Sequence, residues 1–335
     1  MAATSVVAAQ DLTKHFSLRR GLFGGTVAVV RAVDGVSFTI DPGTTLGIVG
    51  ESGCGKTTTA KLVLGLEAPT AGDLRFEGQR LQDLDAAGRR RYRGSVQAVF
   101  QDPYASLNPR MRVRDIVAEP LVTNEAVTAA EVDQRVKKIL GMVGLPDRAM
   151  SLFPHEFSGG QRQRIAIARA LSVSPRLIVL DEPVSALDVS IRAQVLNLLR
   201  DLQAELGLAY LFIAHDLAAV AHMSHTIAVM YLGQIVEAGD AARVAREPRH
   251  PYTQALFAAA LPSHPGERRE DIVLEGEVPS PVAPPAGCRF HPRCPHVMPR
   301  CSVEAPAPRM ESGRLVACHL YAGEPAAVTG NGRPA

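Results

Sequence analysis

The chain has 335 residues, 46% of them hydrophobic, and a formal net charge of +2. That length exceeds one compact domain and points to a main domain with an appendage, while the near-neutral charge excludes the broad basic field of a nucleic-acid binder. No apolar run reaches the ~20 residues that cross a bilayer, and the opening "MAATSVVAAQDLTKHF" lacks the basic start and apolar core of a signal peptide. The expectation is a cytosolic chain able to dock on a membrane, in a reducing compartment where structural disulfides are not expected.

In chain order, residues 1–100 read mostly as strands with one strong strand–loop–helix unit. That unit is "GIVGESGCGKTT", Gly47 to Thr58, in which Gly50 to Thr57 fits the phosphate-loop pattern G-x-x-x-x-G-K-[ST]. "TTLGIVG" before it suits a buried strand and "KTTTAKLVLGL" after it suits a helix, which is the context the motif requires. Gly50, Ser52, Gly53, Cys54 and Gly55 form a loop whose N–H groups can face a polyphosphate, with the helix N-terminus at Lys56, Thr57 and Thr58 adding a favourable dipole. Lys56 would reach the β- and γ-phosphates and Thr57 would ligate Mg²⁺. Cys54 is either a small residue at a variable position or a thiol made alkylation-sensitive by the nearby lysine and helix terminus.

Residues 102–165 read as helical, with apolar residues at helical spacing in "AEVDQRVKKILGMVGL". "FSGGQRQRIAIARAL" follows, where Ser158, Gly159, Gly160 and Gln161 open a helix whose free N–H groups suit a phosphate. By itself this is an ordinary N-capped helix; beside a P-loop it makes sense as a second cradle that closes over nucleotide held by another chain. From 166 to 247 helices and strands alternate, which predicts a largely parallel α/β sheet. One of those strands, "RLIVLDEP", ends in Asp181 and Glu182: the first carboxylate can hold Mg²⁺ and the second can polarise an attacking water. Beyond residue 248 the texture changes, and most of the 24 prolines lie there, "VPSPVAPPAGC" reading as an extended linker.

Four of the five cysteines fall in this last region: Cys288, Cys294, Cys301 and Cys318, spaced C-x5-C-x6-C-x16-C. None of the spacings is the C-x2–4-C knuckle of a structural zinc site, yet four thiolates in a proline-punctuated loop can ligate a 4Fe–4S cluster. His291, His296 and His319 lie close in sequence and keep a mixed Cys/His zinc site open, as is the absence of any metal. A segment so poor in apolar periodicity is expected to bury little surface, so a metal would act as a staple.

Taken together these elements resemble an ATPase subunit of an ABC transporter, over roughly residues 8–245. In that resemblance Phe16 in "LTKHF" stands where an aromatic stacks on adenine, and Gln101 in "VFQDP" is the Q-loop glutamine. "SGGQ" is the signature, with Phe157 where the family usually has Leu, "SALD" with Asp188 is the D-loop, and His215 in "IAHD" is the switch histidine. A narrower resemblance, through "VFQDPYASLNPRM", "DEPVSALDVSIRAQVLNLL", "RHPYTQAL" and "GCRFHPRCP", is to the ATPases of oligopeptide/dipeptide importers, of the OppF/DppF type rather than the OppD/DppD type.

The resemblance implies a P-loop NTPase (ABC ATPase) core with a mixed sheet over residues 1–247, an inserted helical subdomain at about 102–165, a Pro/Cys-rich C-terminal extension at 248–322 and a disordered tail at 323–335. It implies ATP as substrate, Mg²⁺ held by Thr57, Gln101 and Asp181, and catalysis by Glu182, His215, Gln101 and Lys56. Cys288, Cys294, Cys301 and Cys318 would carry the 4Fe–4S cluster assigned to some members. The implied partners are a second ATPase, favoured as an OppD/DppD-type paralogue, two permease subunits and, indirectly, an extracytoplasmic substrate-binding protein, with no nucleic acid. The chain would sit peripherally on the cytoplasmic face of the membrane and power peptide import; a non-peptide solute such as a nickel chelate is the alternative. A soluble ABC ATPase of repair or translation is a weaker rival, because one cassette is present and about 110 residues separate P-loop from signature. An exporter is another, but its membrane helices are often fused to the cassette.

Overall fold

The structure is a computed structural model that describes residues 4–19, 26–102, 106–259 and 276–321. The expected tail at 323–335, residues 260–275 of the C-terminal extension and residues 103–105 lie outside the described residues, while the linker "VPSPVAPPAGC" lies within them. The strands in chain order are β1 (Val7–Arg19), β2 (Thr26–Ile40), β3 (Thr45–Val49), β4 (Ala71–Phe76), β5 (Gln79–Arg80), β6 (Val96–Val99), β7 (Leu177–Asp181), β8 (Ala209–Ile213), β9 (Thr226–Tyr231), β10 (Gln234–Asp240), β11 (Arg309–Glu311) and β12 (Arg314–Val316). The helices that matter below are α1 (Lys56–Val63), α2 (Ala86–Ser95), α3 (Val113–Asn124), α4 (Ala129–Met142), α5 (Gly159–Leu171), α6 (Val189–Leu206), α7 (Leu217–Met223), α8 (Ala241–Arg246) and α9 (Pro251–Ala258). The chain divides into two compact units, one built mainly from residues 76–214 and the other from 7–39, 46–75 and 215–335.

The first unit is built on the parallel strands β8-β7-β6, with Leu177 opposite Ala209 and Val96 opposite Leu177. Every residue of β8 is buried and β7 is buried up to Asp181, the near-continuous apolar run expected of strands covered on both faces. Tyr210 completes its burial by donating its hydroxyl proton to the Leu199 carbonyl of α6 at 2.8 Å. The helical insertion packs α3, α4 and α5 on one another. α4 covers the residues whose periodicity announced it, and its start is a full capping box, Thr128 with Glu131. α2 was not anticipated: "AAGRRRYRGS" is polar almost all round, and Tyr92 is its one buried side chain.

In the second unit β2-β1-β4 form one sheet and β11-β12-β10-β9-β3 another. The latter is mixed: β3 runs parallel to β9, while β10 is antiparallel to both β9 and β12. "TIAVMYLGQIVEAG", in the region where helices and strands were expected to alternate, is a hairpin whose turn residues Leu232 and Gly233 both have positive φ, 42° and 84°, the geometry that lets a two-residue turn follow strand twist. The C-terminal extension also departs from expectation. It adds β12 to the edge of this sheet and buries Phe290, Cys301 and Val316. The burial is aromatic and edge-on, so no apolar periodicity along the sequence reveals it.

Candidate nucleotide site and C-terminal cysteine pocket

The second unit builds the phosphate loop. β3 is fully buried and delivers the chain into a loop where Gly50 and Gly55 have φ of 152° and 114°. A Cβ on Gly50 would stand 2.1 Å from the Met230 carbonyl oxygen and one on Gly55 2.2 Å from that of Ala32, so both positions exclude any side chain. α1 then begins at Lys56. The Lys56 ammonium donates to the carbonyls of Gly50 (2.7 Å) and Glu51 (3.0 Å); phosphate oxygens would compete for the same donors. Ser52, Gly53 and Thr57 are exposed and Thr58 half-buried. Phe16 is half-buried on β1, with the Lys14 ammonium 4.9 Å from its ring centroid. His215, at the end of the chain entering α7, is exposed.

Of the two readings of Cys54, the structure favours the packed one. It is 4% exposed, and burial pushes its thiol above the usual range, outweighing the opposite pull of Lys56. The thiol is packed, not activated.

The first unit carries the other half of the predicted set. Gln101 is exposed just after β6. Ser158 caps α5: its Oγ accepts from the Gln161 N–H at 3.4 Å, while Gln161 Oε1 accepts from the Ser158 N–H at 3.0 Å. Gly159 and Gly160 form the first turn, and Arg162 beneath them is buried against the Pro154 carbonyl at 2.6 Å. Asp181 ends β7, and Glu182 follows at φ 53°, its N–H donating to Ile213 at 2.8 Å. A left-handed glutamate costs about 1–3 kcal/mol, a strain that collects at functional sites. Asp188 is exposed at the N-cap of α6.

Cys288, Cys294, Cys301 and Cys318 line one small cavity, together with His250, His291, His296 and His319. All are free thiols. Burial, reinforced by the other cysteines, raises Cys288, Cys294 and Cys318, the last to about 11. Among the described residues no group of three or more His, Cys, Asp or Glu is arranged to hold a metal ion. His291 is turned to the Cys288 carbonyl (2.9 Å) and His319 to that of Glu304 (2.9 Å), which spends one ring nitrogen of each. His250 caps α9, its Nδ1 accepting from the Tyr252 N–H at 3.0 Å, and burial pushes it down to about 3.

The sequence reading passed over a set of residues that join this extension to the P-loop. Arg293 makes a two-point ion pair with Glu51, Nη1 to Oε2 at 2.8 Å and Nη2 to Oε1 at 3.0 Å. Tyr252 accepts from the Glu51 N–H at 2.8 Å, and Arg289 pairs with Asp34. The only signal was two arginines spaced by four in "CRFHPRC".

Comparison with known proteins agrees with this geometry. Residues 33–185 match the ABC transporter family and residues 236–301 the oligopeptide/dipeptide transporter C-terminal region. Among solved structures, cbiO1 of Clostridium perfringens, part of the ABC transporter complex cbiONQ, is 27% identical with a TM-score of 0.62, covering 73% of this chain and 92% of that one. The ATP-binding cassette MJ0796, in a dimeric post-hydrolysis state with ADP and Pi, is 28% identical with a TM-score of 0.61, covering 70% and 98%. The fold is thus that of an ABC ATPase, an enzyme that couples ATP hydrolysis to transport.

Whole-chain relatives narrow the class. The di/tripeptide transport ATP-binding protein DppF of Pseudomonas aeruginosa is 49% identical, covering 94% of this chain and 97% of its own. The oligopeptide transport ATP-binding protein AppF of Bacillus subtilis is 49% identical (95% and 98%), and the dipeptide transport ATP-binding protein DppF of Escherichia coli 48% (92% and 92%). The chain belongs to the oligopeptide/dipeptide family of ABC transporter ATP-binding proteins.

Proposed function

We propose that this ATPase powers the import of peptides, working with two permease subunits, a second ATPase of the OppD/DppD type and an extracytoplasmic binding protein. The observation that carries this reading is similarity at nearly half of all positions, along more than nine-tenths of the chain, to proteins named for dipeptide, tripeptide or oligopeptide transport. Substrate choice rests with the binding protein and permeases, so "peptide" comes from those relatives alone. No described helix is long and apolar enough to cross a membrane, which fits a subunit held peripherally on the cytoplasmic face by its permeases. We assign the ATPase domain to 1–247 and the extension to 248–322 from the change of sequence texture at residue 248; the family matches cover 33–185 and 236–301, the second beginning before that boundary.

In this reading the P-loop amides and Lys56 hold the β- and γ-phosphates and Phe16 packs on the adenine. Thr57, Gln101 and Asp181 are the residues that would hold Mg²⁺, which would supply neutralising charge to the phosphates. Glu182 orients a water and accepts its proton; Gln101 and His215 complete the γ-phosphate contacts. Ser158, Gly159, Gly160, Gln161 and Asp188 act on nucleotide held by the partner ATPase. Closure then follows because nucleotide makes contacts in the closed pair that the open pair lacks. The helical segment 102–165 grips a permease.

The four cysteines are proposed as ligands of a 4Fe–4S cluster that braces the extension. The support is chemical: four free thiols line one cavity, a soft donor set that would have to draw together on binding, since no three of them are yet arranged to hold a metal ion.

Anaerobic affinity capture of the tagged chain from detergent-solubilised membranes tests the function. Recovery of two permeases and a second ATPase is the expected result. A chain recovered alone from the soluble fraction would overturn the importer reading, and a permease pair adjoining a nickel-chelate binding protein would overturn the peptide.

A further inference from the structure

Glu51 is the second residue of the P-loop, between Gly50 and Ser52. A carboxylate there is electrostatically awkward, because like charges closer than the ~8 Å Debye length repel with little screening by salt. The fold answers with Arg293, whose guanidinium grips both carboxylate oxygens at 2.8 and 3.0 Å. Its side chain is 6% exposed, against 26% for Glu51. A planar, two-point, largely desolvated pair of this kind is unlike an ordinary surface bridge.

Arg293 is itself held in place. Its guanidinium lies 6.0 Å from the Tyr231 ring centroid. Phe290, 1% exposed, packs against Tyr231 and Tyr252 with centroids 5.3 and 5.5 Å away. Arg289 donates to the Leu232 carbonyl in the β9–β10 turn and pairs with Asp34. The next turn residue, Gly233, donates its N–H to the Cys54 carbonyl in the P-loop at 2.8 Å. Residue 51 is fixed at its backbone too: its N–H donates to the Tyr252 hydroxyl oxygen (2.8 Å) and its carbonyl accepts from the Lys56 ammonium (3.0 Å). Any movement of residue 51 therefore moves an acceptor of the phosphate-binding lysine.

We propose that Arg293 is a positioning residue of the nucleotide site: it neutralises and fixes the Glu51 carboxylate, so that the P-loop meets a triphosphate without an opposing charge and the C-terminal extension sets ATP affinity. This rests on the ATPase assignment. It makes the extension part of the nucleotide site rather than a passive appendage.

The test is a titration of the full-length chain with Mg²⁺ and a non-hydrolysable ATP analogue at low salt and at about 0.5 M salt. Wild type, Arg293→Ala, Arg293→Lys, Glu51→Gln and the Glu51→Gln/Arg293→Ala pair are compared, with thermal melts alongside. Arg293→Ala is expected to bind about tenfold more weakly at low salt. High salt should shrink the loss, and the double variant should return to within about twofold of wild type. Arg293→Lys should fall between. Wild-type affinity in a folded Arg293→Ala, with only its melting temperature lowered, would reduce the pair to a structural staple and overturn the proposal. A double variant as weak as Arg293→Ala would overturn it equally. If Arg293→Ala does not fold, Arg293→Lys decides: weakened binding supports the proposal and unchanged binding overturns it. Failure of wild type to bind the analogue would instead overturn the ATPase assignment, and is read from wild type alone.

Discussion

Glu182 shows how much one backbone position can say. It leaves β7 in the left-handed region at φ 53°, tied by its N–H to Ile213 at 2.8 Å. A β-strand exit through a strained non-glycine residue is kept where the side chain's direction matters more than the ~1–3 kcal/mol it costs. Glu182→Gln keeps the shape and removes the proposed base. Phosphate release should fall about 100-fold or more while ATP binding survives, and wild-type turnover in that variant would remove Glu182 from the mechanism. Cys54 carries the opposite lesson. The tempting inputs, a lysine and a helix N-terminus, are both local; burial to 4% exposure outweighs them. Since the thiol is raised and the thiolate is the reactive form, iodoacetamide should label Cys54 more slowly than a free cysteine near neutral pH, the rate climbing only in alkali. Peptide mapping by mass would read this, and fast labelling at pH 7 would contradict the packed assignment.

Among elements, the most informative are those joining the extension to the sheet. β12 pairs with β10 through Glu237 opposite Val316 and Ala238 opposite Leu315. Under that pairing Arg314, 2% exposed, donates to the carbonyls of Arg243 (3.0 Å) and Glu247 (2.5 Å) and stands 3.6 Å from the wholly buried Glu237. Burial raises the Glu237 carboxyl, and the N–H groups of His250 and Arg249 at 2.8 and 3.0 Å work against that rise. Arg314→Ala would leave a buried carboxylate short of its cation and remove one donor from each of two carbonyls, the Arg243 carbonyl keeping the Glu247 N–H at 2.9 Å, a loss of about 3 kcal/mol. A thermal melt should show it, and an unchanged melting temperature would mean that the β-strand pairing alone holds the module. These elements were hidden for different reasons. The β9–β10 turn at Leu232 and Gly233 presents a leucine where positive φ is unusual. α2 is nearly all polar and is recruited by one tyrosine. By contrast α4 and the capping box of α5 were legible, because their signals are local.

At the scale of the molecule, an ABC ATPase core carries a second module whose cysteines converge although 29 positions separate Cys288 from Cys318 in an otherwise loop-rich segment. Raised thiols in a shared cavity ionise reluctantly by themselves, and metal coordination would supply the missing drive for deprotonation. The proposed cluster predicts iron in the anaerobically purified wild type, and that Cys318→Ser lowers the iron content and visible absorbance while leaving nucleotide binding largely intact. Unchanged iron would remove Cys318 from the ligand set, and zinc in its place would identify the alternative metal.

The sequence by itself determined the class: a P-loop, a signature, a D-loop and an acidic strand end in one order, each a short motif whose geometry is set by neighbouring residues. It also located the cysteines and the change of texture at residue 248. Tertiary structure alone decided that Glu51 is paired with Arg293, 242 residues away, that Cys54 is buried, and that the proline-rich extension buries Phe290 against Tyr231 and Tyr252. The reason is range. Glycine-driven loop curvature and helix capping act over a few residues and leave a pattern in the chain. Desolvation and ion pairing depend on which distant segments meet, and leave none.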